Sequence, residues 1–331
     1  MHRRKSVLWA LFAAGTLLLT GCGAGNVRST AQAQAKDRLH IVCSVFPEYD
    51  WTKQILGSHA ADAELYYILE SGADIHSFQP TMEDMVKIAD CDLFLYVGGE
   101  SDAWTADAIA GAVNPEMRTV ALLDVLGDAA VTEEIKEGMQ AEDAEEAEDG
   151  APEYDEHVWL SLRHAKTFCG VIADQLCALD SVNADDYRAN LAAYTQQLDQ
   201  LDRDFQALTD NAAQKTLLFG DRFPFRYFTD DYGLDYYAAF AGCSAETEAS
   251  FETVVFLADK TDELGLDTVY TIEGSDGSIA RTIIGNTKDK NQQVAVLNSI
   301  QSVNAQQIQD GTTYLSLMQQ NYDVLKSHLK P

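Results

Sequence analysis

His76 and His157 are the residues of this chain best suited to holding a metal ion. His76 lies in Gly72-Ala73-Asp74-Ile75-His76-Ser77-Phe78-Gln79-Pro80 and His157 in Asp155-Glu156-His157-Val158-Trp159. A neutral imidazole is the commonest nitrogen ligand for zinc, and a carboxylate behind it usually fixes its orientation. Asp74 and Asp155, each two residues upstream, are placed in sequence to try that role. A lone loop histidine is more often a surface or hydrogen-bonded side chain, the reading given to His40, His59, His164 and His328. With Cys22 set aside, Cys43, Cys91, Cys169, Cys177 and Cys243 remain, and none falls in a C-x-x-C pair. A cysteine-based zinc site is therefore not expected. Cys43, Cys91 and Cys169 sit in apolar stretches and read as small core residues. The chain has no H-E-x-x-H and no G-x-S-x-G, which argues against a hydrolase.

Histidines in loops need a frame, and the pattern around them supplies one. Residues 41–46 read as a buried strand ending at Pro47, 50–56 as a helix stopped by Gly57, and 63–69 as a second strand. Residues 81–89 have Met82, Met85, Val86 and Ala89 at helical spacing, and 93–97 form a third apolar run. Unbroken apolar strands alternating with helices predict a parallel sheet covered on both faces. In such sheets ligands bind beyond the carboxyl ends of the strands, and the His76 loop follows the second strand. Residues 165–179 read as a helix. Residues 185–211 place Tyr187, Leu191, Tyr194, Leu198, Leu201, Phe205 and Leu208 three and four apart. A helix of that length runs about 40 Å, enough to bridge two lobes. The alternation then restarts, with strands at 216–219, 236–240, 268–272 and 294–297 and helices at 225–232, 251–264, 278–284 and 314–329. The expected fold is α/β, with two Rossmann-like βα lobes at 37–182 and 213–331 and a linking helix at 183–212.

Composition narrows the partners. The formal net charge of -30 makes nucleic acid and anionic membrane surfaces poor candidates and suits cations. Residues 133–156 hold twelve Asp or Glu and a single Lys, so they read as a mobile acidic loop. Its carboxylates could gather cations weakly, or it is a solvated linker. At the N-terminus, Arg3, Arg4 and Lys5 precede an apolar run that is too short for a membrane span and fits a signal peptide over 1–21. Leu19-Thr20-Gly21-Cys22 resembles the lipobox of bacterial lipoproteins, in which the cysteine thiol is acylated. The alternative is an ordinary cleaved signal. Residues 22–36 have the composition of a flexible tether.

Taken together, these motifs resemble the metal-binding proteins of zinc and manganese ABC importers. The resemblance rests on Ser44-Val45-Phe46-Pro47-x-Tyr49, the His76 loop, Asp90-Cys91-Asp92-Leu93, and Asp155-Glu156-His157-Val158-Trp159-Leu160 followed by Ala165-Lys166. Tyr227-Phe228, Tyr232-Gly233-Leu234, Gly242-x-Ser244 with Glu246-x-Glu248, and Ile272-Glu273 continue it in order, from about residue 39 to the end. The family implies a rigid linking helix, a metal held in the cleft between the lobes, and four ligand positions, of which two fall on His76 and His157. The acidic loop occupies the place of a histidine-rich loop but has no histidine. The third position falls on Arg222, which cannot ligate a metal, and the fourth near Asn298. Asp221 or Glu273 could substitute. Alternatively, Arg222 neutralises those carboxylates as a structural ion pair.

Three readings follow. The leading one is a monomeric, lipid-anchored extracytoplasmic protein that captures zinc, or manganese, and delivers it to the membrane permease of an ABC importer. The second is the same fold binding an anionic organic ligand through Arg222. The third is a zinc-dependent hydrolase with an open water position.

Overall fold

The computed structural model describes residues 38–140, 153–244 and 248–330. The predicted signal, the tether with Cys22 and the middle of the acidic stretch lie outside the described residues. The first lobe is built from β1 (His40–Cys43), α1 (Phe46–Leu56), β2 (Glu64–Tyr67), α2 (Met82–Asp90), β3 (Leu93–Tyr96), α3 (Thr105–Ala110), β4 (Arg118–Ala121) and α4 (Leu122–Leu126). Two long helices follow, α5 (Leu162–Leu179) and α6 (Ala184–Asp210). The second lobe comprises β5 (Thr216–Phe223), α7 (Arg226–Tyr232), β6 (Asp235–Ala241), α8 (Phe251–Leu264), β7 (Thr268–Ile272), α9 (Ser278–Asn286), β8 (Gln293–Leu297), α10 (Ala305–Gln309) and α11 (Tyr314–His328).

Each lobe holds a four-stranded parallel sheet, ordered β2-β1-β3-β4 in the first and β6-β5-β7-β8 in the second. The two orders are the same, so each sheet has its topological switch point beside its first strand, where such folds open a ligand crevice. The lobes are not separate bodies. One buried apolar cluster runs from Ile41, Phe46 and Trp51 through Trp159, Phe168, Leu198 and Phe205 to Phe219, Phe228 and Tyr314. Helix α6 backs both lobes. Asn190 near its start donates to the Ile55 carbonyl, and Phe205 near its end packs on the rings of Phe228, Tyr232 and Tyr322.

Pro47 does not simply end a strand, as its position predicted. It sits in the first turn of α1, where its missing N–H costs nothing, while the buried Glu48 carboxylate accepts from the Ser44 and Val45 N–H groups at 2.9 and 3.2 Å. Strand β4 has no forecast in the sequence because Arg118 and Thr119 are exposed and interrupt the apolar run. The acidic stretch is also more ordered at its ends than its composition predicts. Glu133 N donates to the Glu153 carbonyl at 2.9 Å, Glu134 pairs with Arg226, and Lys136 pairs with Asp235 at 2.5 Å. Two of these partners, Arg226 and Asp235, belong to the second lobe, which charge patterning alone does not reveal.

Candidate metal centre

His76 is placed by a short 3-10 turn, Ile75–Ser77, that Asp74 opens by accepting the His76 N–H at 3.1 Å. Asp74 thus holds the backbone and not the ring. The ring Nδ1 lies 2.8 Å from Ser101 Oγ, on the loop after β3, and 3.7 Å from Glu156 Oε2. His157 is fully buried, and its Nδ1 lies 3.0 Å from Asp155 Oδ1, which also accepts the His157 N–H at 2.8 Å. Since a carboxylate only accepts, this contact keeps the proton on Nδ1 and leaves Nε2 for a ligand role.

The two Nε2 atoms face each other at 3.1 Å, and Gln301 Oε1 stands 3.2 Å from His157 Nε2. Three electron-pair donors at such spacing repel one another unless a proton or a cation lies among them. Two nitrogens each about 2.0–2.1 Å from one tetrahedral zinc stand about 3.3 Å apart, close to the observed separation. Burial and the neighbouring His157 push the His76 pKa down to about 3, so its ring is neutral across physiological pH. Burial also opposes charge on His157, but the Asp155 hydrogen bond with the nearby Glu156 and Glu133 carboxylates holds its pKa above the usual histidine value.

A third side chain with a potential ligand atom comes from the second lobe. The ligand atoms of His76, His157 and Cys243 all lie within 4.8 Å of one another. Cys243 follows the end of β6, and its N–H donates to Glu133 Oε1 at 2.8 Å. Burial, with the carboxylates of Asp155, Glu133 and Glu156, pushes its thiol well above the ordinary cysteine pKa. A metal must therefore displace its proton. The five described cysteines are free thiols, with Cys43, Cys91 and Cys169 buried in the core.

The remaining predicted residues are placed differently. Asp221 Oδ1 accepts from Arg222 N–H at 2.9 Å and its Oδ2 from Ile272 N–H at 3.3 Å. Glu273 accepts from Ser299 N–H and Oγ–H at 2.6 and 2.7 Å. Both residues line a cavity of about 530 Å³ with Asp74, His76, Arg222 and Asp276, but neither belongs to the converging donor set. Arg222 does not pair with Asp221 or Glu273. Its guanidinium reaches Asp74 Oδ2 at 2.5 Å and the Ser244 carbonyl at 3.2 Å. Asn298, where the fourth position was expected, uses its side-chain oxygen to accept the Ile300 N–H two residues on at 2.8 Å. Ile300 is buried at φ 65°, a left-handed conformation that is costly for a β-branched residue, and the turn carries Gln301 to His157 instead.

Sequence reasoning missed Cys243, Gln301 and Ser101. Cys243 stands just past a strand's carboxyl end, the rule that singled out His76, but the search for cysteine pairs passed over it. Gln301 has no such signal, because its placement depends on the Ile300 turn.

The fold recurs in known proteins. The chain is 26% identical over 310 residues to the zinc-binding protein AdcA of Streptococcus pyogenes serotype M1, covering 92% of this chain and 58% of that protein. The chain thus spans little more than half the length of that relative. It is 28% identical over 332 residues to the high-affinity zinc uptake system protein ZnuA of Bacillus subtilis strain 168, covering 99% of each. The Zn(II)-bound ZnuA-like domain of Streptococcus pneumoniae AdcA superposes with a TM-score of 0.68 at 25% identity, over 89% of this chain and 100% of that domain. The family model for ZnuA, the zinc-uptake complex component A, periplasmic, matches residues 41–328, and the chain belongs to that family.

Proposed function

We propose that this protein captures one zinc ion between its lobes, with His76 and His157 as direct ligands, and delivers it to the permease of an ABC importer. The observation that carries the reading is the 3.1 Å approach of two Nε2 atoms whose Nδ1 atoms are each engaged from behind. Relatives named for zinc binding and zinc uptake support the choice of metal, with manganese as the competing cargo. Asp221 and Glu273 act from the cavity wall, where with Asp74 and Asp276 they attract the cation toward His76. The same wall disfavours an anionic ligand, and the guanidinium that would bind one is already engaged by Asp74 and Ser244. The site therefore binds and releases, and the reading is of a carrier and not a hydrolase. Cys22 would hold the monomeric protein at the outer face of the membrane.

Calorimetric titration of metal-free protein should show about one zinc bound, with His76→Ala and His157→Ala each abolishing the binding signal. Unchanged zinc binding in both variants would overturn the assignment.

A further inference from the structure

We infer that Cys243 is a direct ligand of the captured ion, so that the second lobe contributes a thiolate, with the Gln301 amide oxygen completing a two-nitrogen, one-sulfur, one-oxygen site. This rests on the zinc-capture reading above and concerns what closes the site from the second lobe. Four observations support it. The Cys243 Sγ lies within 4.8 Å of a ring nitrogen of each histidine. The backbone leading to it is pressed against His157: a Cβ on Gly242 would stand 3.1 Å from His157 Cε1 and Nδ1 and 2.9 Å from the Phe223 carbonyl. Only glycine fits there without displacing the imidazole or the strand.

The third observation is the role of Arg222. Its two terminal nitrogens bridge Asp74, which opens the His76 turn, and the carbonyl of Ser244, the residue after Cys243. The residue that cannot be a ligand thus ties the loop of one donor to the loop of another. The fourth is Gln301, whose side chain is almost fully buried and has His157 Nε2 within 3.2 Å of its oxygen. Nitrogen and sulfur ligands at about 2.0–2.1 and 2.3 Å are the common donors of tetrahedral zinc. As the zinc–sulfur bond forms, the thiol proton leaves to solvent, so binding releases one proton per ion. A soft thiolate also favours zinc over manganese, which prefers oxygen donors. Cys243 would then be a residue that determines metal choice.

The test uses the mature protein stripped of metal and reloaded with cobalt(II), an optical stand-in for zinc. Wild-type protein should show a sulfur-to-cobalt charge-transfer band in the near ultraviolet, absent from Cys243→Ser and retained in Cys177→Ser. Cys243→Ser should bind zinc at least about 100-fold more weakly, beyond the 10–100-fold cost of losing an outer-shell partner. Its preference for zinc over manganese should shrink, and calorimetry in two buffers should show one proton fewer released. Circular dichroism matching wild type would confirm that the variant is folded. If Cys243→Ser misfolds, the charge-transfer band of wild-type and Cys177→Ser protein decides alone. Cobalt binding without that band in wild type would overturn the inference while leaving zinc capture intact. No metal uptake by wild type would overturn both.

Discussion

The two lobes share a strand order but furnish the site by different means. The first lobe offers two imidazoles, each engaged from behind at Nδ1, His76 by Ser101 and His157 by Asp155. The second lobe offers a thiol and an amide carried on loops, one pressed in by Gly242 and the other by the left-handed Ile300. In the first lobe the chemistry of the donor dictates its neighbours, so the motif is visible in the sequence. In the second, backbone shape brings side chains of ordinary residue type to the site.

That contrast can be broken most forcefully at Asp155. Asp155→Ala frees the His157 ring from its tautomer and orientation, and zinc affinity should fall by about 10–100-fold, measured by competition with a chromophoric chelator. An unchanged affinity would mean that burial alone orients the ring. The counterpart in the second lobe is Gly242→Ala. The added methyl must push on His157 or on the β5 carbonyl, and affinity should drop on the order of 10-fold, with the cobalt charge-transfer band weakened before the histidine ligation is lost. If Gly242→Ala instead matches wild type in both readouts, the close packing of that loop has no bearing on the site.

The smallest effect on binding is expected from Asp102, beside Ser101. Its buried carboxylate accepts from the Val97 and Gly98 N–H groups, and burial pushes its pKa up to about 7. A carboxyl group raised on folding contributes its full stability below the unfolded value of about 4, and that contribution is lost as pH climbs toward about 7. Asp102→Asn keeps the acceptor oxygen without the charge. Thermal melts of metal-free protein should show the variant gaining on wild type between pH 5 and pH 8, by on the order of 5 °C, with zinc affinity little changed. Parallel melting curves across that range would remove Asp102 from the account of the first lobe.

How far the sequence could be read follows the same division. Strand alternation, the long helix and the histidine motifs are governed by local patterns of burial and spacing, and they stand out. Strand β4 does not, because its exposed Arg118 and Thr119 lack an apolar run. Pro47 misleads, since the same residue that ends a strand can open a helix. Near Asn298, where a donor was expected, a buried isoleucine at positive φ redirects the chain and brings Gln301, three residues on, to His157. Asp221 and Glu273 have suitable chemistry, but their oxygens serve backbone and hydroxyl donors. Only the tertiary partners reveal that.

The parallel sheet of the second lobe has one more consequence, for how such a site can change by mutation. All its strands deliver their carboxyl ends to one rim, so side chains on adjacent strands face a common space. Arg222 on β5 pairs in register with Phe240 on β6, three residues before Cys243. A donor given up on one strand can therefore be recovered from the next without disturbing the core or the pairing. The rim works as a row of interchangeable sockets. A substitution at one socket changes the chemistry of the rim while the strand pairing beneath it stays as it is.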